Sequence, residues 1–151
     1  DWDCLVAALL AMTCRGAILQ EVRGSHRSDL AQASVRGWNV FEKHHAEGYR
    51  QALPGIRMKT ICHGTRTLMT EFLLDRGSTL PEHAHPHEQT GYLVAGHIRL
   101  RIGTAEHEVR PGDSWCIPGG EPHGAHILED SVAVEVFSPV REDYLPAPAA
   151  P

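Results

Sequence analysis

The residues best placed to do chemistry together are His83 and His85, two of the chain's 11 histidines, separated by a single alanine. On a strand, residues two apart face the same side, so His83-Ala84-His85 presents two imidazoles side by side with Ala84 turned away. Two more donors follow: Gln89, after a break at Pro86, and His123, near the end of the run GDSWCIPGGEPHGAH. Imidazole favours Zn, Cu, Fe and Ni, while the carbonyl oxygen of a Gln also tolerates Mn or Fe. The spacing therefore points to one divalent transition-metal ion, either Ni, Zn, Mn or Fe. The competing reading is a solvated strand in a chain rich in histidine, because His-x-His also arises by chance.

Ligands of this kind need a rigid frame, and the surrounding sequence predicts strands. Residues 55–62 (GIRMKTIC) and 67–74 (TLMTEFLL) read as strands, with Gly64 and Asp75-Arg76-Gly77 as turns. Residues 98–102 alternate apolar and basic, which puts Arg99 and Arg101 on a solvated face. Gly103-Thr104 and Pro111-Gly112 mark further turns, and residues 55–138 contain no useful helical periodicity. Short strands at regular spacing predict an all-β sandwich or barrel. His44 and His45 are chain neighbours that point apart, so they read as surface residues rather than a ligand pair.

The 151 residues, 42% of them hydrophobic, suffice for one domain with a sizeable core and fall short of two. A formal net charge of −5 with scattered Lys and Arg offers no basic stripe and argues against nucleic acid as a partner. Residues 1–37 differ in character and are expected to form an N-terminal extension, helical or poorly ordered. Its apolar run, residues 5–12, is too short to cross a bilayer, and Asp1 and Asp3 stand where an export signal needs positive charge. Cys4, Cys14, Cys62 and Cys116 form neither a C-x-x-C pair nor a small disulfide framework, which suits reduced thiols and a cytoplasmic address without membrane attachment. Cys116, between Trp115 and Ile117, reads as a small buried hydrophobe, with a catalytic thiol as the alternative.

Two spacings carry a resemblance. Gly77, five residues, His83-x-His85, three residues, Gln89, six residues and Gly96 resembles the first signature of the cupin superfamily, with Gln where most members have Glu. Gly112, five residues, Pro118-x-Gly120, two residues and His123 resembles the second, with Ile127 where an Asn is usual. The resemblance implies an all-β, double-stranded β-helix (cupin or jelly-roll) barrel. The expected division is an N-terminal extension over 1–37, the barrel over 38–145 and a Pro/Ala-rich tail over 146–151. Inside the barrel it implies metal held by His83, His85, Gln89 and His123.

The fold hosts many chemistries and names none by itself. Residues 85–89 (HPHEQ) with residues 136–145 (VFSPVREDYL) are similar to the KdgF family of pectin and alginate catabolism, whose ending runs Asp, one residue, Phe, Ser-Pro, one residue, Arg. Here the same positions are Glu135, Val136, Phe137, Ser138-Pro139, Val140 and Arg141. The resemblance covers about residues 56–145. It implies ring opening, an isomerisation, of 4,5-unsaturated uronates to linear 5-keto sugar acids. Glu135 would stand for the family's acid/base Asp, Phe137 would pack against the sugar, and Arg141 would pair the uronate carboxylate. Three imidazoles and a neutral Gln leave the ion's charge uncancelled by any ligating carboxylate, which strengthens its polarising effect.

Glu135 departs from the pattern by one methylene, and small displacements of a catalytic group can cost on the order of 10²-fold in rate. Alternation alone would bury Val132, Val134 and Val136 and expose Glu135. The resemblance requires the reverse, with the valine face covered by another sheet or by a second subunit, so a homodimer is expected. Two further readings use the same residues: a metal-dependent cupin oxygenase, and a sugar-acid binding module without catalysis.

Overall fold

The structure is a computed structural model that describes residues 41–145, together with the backbone of two short paired strands, β1 (Ser34–Val35) and β2 (Trp38–Asn39). The remainder of the extension expected over 1–37 and the tail over 146–151 lie outside the described residues. Eight strands follow: β3 (Arg50–Leu53), β4 (Ile56–His63), β5 (Leu68–Leu74), β6 (Thr79–His83), β7 (Glu88–Ile102), β8 (Ala105–Val109), β9 (Ser114–Ile117) and β10 (His123–Ser138). A 3-10 turn at Glu142–Tyr144 closes the described chain. Among the described residues no helix is long and apolar enough to cross a membrane.

All strand pairs are antiparallel, and the long strands β7 and β10 form the spine. The C-terminal half of β10 lies between β5 and the N-terminal half of β7, extending to β4 and β3 on one side and β9 on the other. The N-terminal half of β10 pairs instead with β6 and with the C-terminal half of β7, which in turn carries β8. Two strands thus serve two layers, which is the jelly-roll solution to burying both inner faces. The layers enclose Ile56, Leu74, Leu93, Ile98, Leu100, Val109, Ala125, Ile127 and Ala133, with Phe72, Leu80 and Trp115 packed against them.

The bend is built into the chain at Gly96. In β7 the buried positions are Gln89, Gly91 and Leu93 before it, but Ile98 and Leu100 after it, so the inward parity flips. The facing stretch of β10 carries register shifts between Ile127 and Ala133. Gly96 has φ +91, and a β-carbon there would run into Ser131 and the Asp130 carbonyl. Only glycine tolerates both conditions cheaply. Ser131 bridges the corner, accepting from the His97 amide at 3.0 Å and donating to the Glu129 carbonyl at 2.6 Å.

The strands expected at 55–62 and 67–74 appear as β4 and β5, and the alternating 98–102 segment is the second half of β7. Cys116 does not match its reading as a buried hydrophobe: it is exposed. Trp115 and Ile117 take the inward side of β9, leaving the intervening residue on the outer face, opposite Thr90.

Candidate functional site

His83 closes β6, and its register partner on β10 is His123, so the sheet itself brings these two rings to 4.3 Å between centroids. His85 is placed differently from the expectation of one strand carrying both histidines. β6 ends at His83, and His85 sits in the connection to β7, its ring 5.7 Å from that of His83 and 5.0 Å from that of His123. The three imidazoles still converge, each offering a nitrogen within 4.8 Å of the others.

The backbone decides which nitrogen is offered. Nδ1 of His83 faces the Pro81 carbonyl at 3.0 Å, Nδ1 of His85 the His87 carbonyl at 3.0 Å, and Nδ1 of His123 the Glu121 carbonyl at 2.8 Å. A carbonyl only accepts, so each Nδ1 carries the proton and each Nε2 keeps its lone pair. Burial holds the pKa values of His85 and His123 below the ordinary imidazole value, which keeps both rings neutral. The buried Nε2 of His123 has no hydrogen-bond partner. An unpaired buried acceptor is costly, and a cation that takes its lone pair removes that cost. This donor set fits a divalent transition metal.

Gln89, buried on β7, stands beside the three imidazoles. Its Oε1 lies 3.0 Å from Nε2 of His85, although both atoms are acceptors once Nδ1 holds the proton. Two facing lone pairs make Gln89 compatible with the imidazoles as part of one donor set for a cation. The amide group of Gln89 donates to Glu135. That bond orients the side chain, turning NH₂ toward the carboxylate and oxygen toward the imidazoles.

Glu135 points inward, as the resemblance requires, on the face shared with Ala133 and Phe137; Val132, Val134 and Val136 take the outer face, half-buried. Its register partners are Thr70 and Gly91. Trp115 packs directly over Gly91, leaving no space for a β-carbon there. Burial pushes the Glu135 carboxyl up to about 7, opposed by the hydrogen bond from Gln89 and the charge of Arg141.

Arg141 lies past the end of β10, which Pro139 terminates because it lacks an amide hydrogen. The Arg141 guanidinium carbon sits 3.8 Å from the Tyr144 ring centroid and 5.2 Å from that of Phe137. Asp143 grips it twice, with Oδ1 3.2 Å from Nε and Oδ2 2.7 Å from Nη2. His83, Gln89, His123, Glu135, Phe137, Arg141 and Tyr144 line one narrow cleft with a free volume of about 60 Å³, floored by the apolar core. All seven residues singled out from the sequence therefore meet in one place: six line the cleft and His85 completes the imidazole cluster. Tyr144, Asp143 and Trp115 were not foreseen. An acid and an aromatic two and three residues after a candidate Arg were a legible signal for the first two, whereas Trp115 is identified only by the pairing of β9 with β7.

A cupin-domain family model matches residues 70–139. The pectin degradation protein KdgF of Dickeya dadantii is 31% identical over 93 residues, spanning 60% of this chain and 84% of that protein. The solved structure of KdgF from a Halomonas species is 33% identical with a TM-score of 0.63, covering 66% of this chain and 94% of the other. An RmlC-like cupin from Shewanella frigidimarina superimposes with a TM-score of 0.67 over 70% of this chain and 96% of its own, at 24% identity, a likeness of fold.

Proposed function

The chain belongs to the cupin family as a KdgF-like member, and from that premise we propose that it acts in pectin degradation by opening the ring of 4,5-unsaturated uronates to linear 5-keto sugar acids. The observation that carries the reading is the meeting of an inward Glu135, an Arg141 guanidinium and the imidazole cluster in one cleft. The reaction is an isomerisation and needs no co-reactant. The anomeric hydroxyl gives up its proton as the bond from C1 to the ring oxygen breaks, C1 becomes an aldehyde, the former ring oxygen becomes the C5 ketone, and C4 gains a proton.

This chain's residues divide that work. Arg141 pairs the carboxylate on C5 and fixes which end of the sugar enters. Glu135, with its carboxyl raised into the neutral range by burial, is suited both to accept a proton and to return one, which a carboxyl at its ordinary pKa does poorly at neutral pH. Phe137 and Trp115 present apolar surface to the ring and keep water from the reacting carbons. Gln89 holds the Glu135 carboxylate through its amide hydrogens. A divalent ion held by His83, His85, Gln89 and His123 would supply Lewis-acid polarisation of a sugar oxygen. The working form is a homodimer, and the free thiols of Cys62 and Cys116 favour a cytoplasmic setting.

The test is incubation of metal-loaded protein with unsaturated galacturonate. Loss of the ultraviolet absorbance of the ring double bond, with the 5-keto product seen by NMR, is the expected result. Persistence of the double bond with fully metallated protein would reject the reading.

A further inference from the structure

Arg141 is held by more of its own neighbours than a simple charge at a cleft mouth would be. Asp143 takes Nε and Nη2, one complete edge of the guanidinium fork. The rings of Tyr144 and Phe137 lie against the guanidinium, and Tyr144 is itself anchored where its carbonyl accepts from the Thr60 hydroxyl at 2.5 Å. Arg50 ties down the same turn by donating to the Asp143 carbonyl at 3.0 Å. The Arg141 side chain is only 14% exposed, while that of Asp143 is 59% exposed. A guanidinium carries five N–H donors in a fixed plane, so gripping the edge formed by Nε and Nη2 leaves Nη1 and the second hydrogen of Nη2 free on the edge that can meet a ligand. None of the hydrogen bonds found among the described residues uses Nη1 to reach a carboxylate.

Resting on the uronate reading above, we propose that Asp143 is a positioning residue: it holds one edge of Arg141 so that the other edge is presented as a two-pronged receptor for the carboxylate of a monomeric sugar acid. A two-pronged receptor discriminates by geometry, whereas a freely swinging cation would discriminate by charge alone. The pairing of Asp143 with Arg141 also holds the Asp143 carboxyl below its ordinary pKa, so it remains an anion where the proposal needs one.

The sign of one binding measurement separates positioning from the alternatives. Replacing Asp143 by Asn removes a negative charge beside the cleft, and charge alone would then tighten the binding of an anion. If Asp143 merely occupied the carboxylate's place, its loss would also tighten binding. If it positions Arg141, binding weakens in spite of the gained positive potential. The experiment is calorimetric titration of metal-loaded protein with saturated galacturonate and with galactose, for wild type, Asp143→Asn, Asp143→Glu and Arg141→Ala. Metal content and melting temperature are recorded for each variant. Expected are a roughly fivefold loss of galacturonate affinity in Asp143→Asn with galactose unaffected, partial recovery in Asp143→Glu, and a loss of at least about tenfold in Arg141→Ala.

Tighter or unchanged galacturonate binding in Asp143→Asn, with Arg141→Ala still impaired, overturns the positioning role and leaves the uronate reading standing. Unimpaired binding in Arg141→Ala, or no preference of wild type for galacturonate over galactose, overturns both. Should Asp143→Asn lose its melting transition, Asp143→Ala, which also removes the charge, decides by the same comparison.

Discussion

Gln89 and Glu135 act as a unit. With Glu at position 135, a Gln at 89 has a reason to place its oxygen toward the histidines, because its NH₂ end is claimed by the carboxylate. A Glu at 89 would instead face Glu135 as a second carboxylate, and two such groups in contact drive one toward protonation. Gln89→Glu is therefore expected to retain or tighten metal, read by elemental analysis, while turnover falls because the ion is a weaker Lewis acid and Glu135 has lost its donor. Glu135→Gln keeps shape and removes the titrating proton, so turnover on unsaturated galacturonate should fall by on the order of 10²–10⁴-fold with metal retained. Glu135→Asp restores the family spacing, so its rate tests whether the pocket is shaped to the longer reach of Glu. A variant retaining near-normal rate would show that the pocket accepts both reaches; a collapse like that of Glu135→Gln would show that it is shaped to Glu. At the cluster itself, changing His83, His85 or His123 to Ala should release the ion, and full occupancy in a His83/His85 double variant would remove the metal assignment.

Among the elements, β7 and β10 matter most, because each donates to both layers and each carries part of the site. Gln89 stands before the corner of β7; His123 and Glu135 stand on either side of the corner in β10. The corner therefore sets the distance between the imidazole cluster and Glu135. Gly96→Ala places a β-carbon at positive φ against the Asp130 carbonyl and Ser131, a change costing on the order of 1–3 kcal/mol. Its melting temperature should drop by several degrees and its activity should fall with it; an unchanged melting curve would mean that the corner yields freely. This corner also explains what could be read in advance. The second half of β7 was legible because its alternation is unbroken, and β4 and β5 because runs rich in apolar and β-branched residues are bounded by turn residues. The joining of residues 88–102 into one strand was not, because the parity flip at Gly96 makes the two halves look unrelated. The placing of His85 failed for a different reason: β6 stops at His83, and the His85 ring reaches the cluster from the connection to β7, a geometry that period-two reasoning does not contain.

At the scale of the whole molecule, burying Glu135 has a consequence on the opposite side of the sheet. Facing Glu135 inward turns Val132, Val134 and Val136 outward, and their register partners on the same face include Leu73, Met69 and Tyr92. Tyr92 and Val94 are each 48% exposed. One border of this face is covered from within the chain, where the Tyr49 hydroxyl donates to Glu71, the partner of Val134 on β5. The remainder is an apolar strip on a sheet, the kind of surface that a second copy covers by packing face to face. Light scattering at micromolar concentration is expected to give twice the mass of one chain. Val134→Lys puts a charge at the centre of the strip without touching the cleft, so it should yield a folded monomer with metal bound. Should wild type itself be a monomer, the strip is solvated and the homodimer fails. Should Val134→Lys remain dimeric with an unaltered dissociation constant, the subunits meet through some other face.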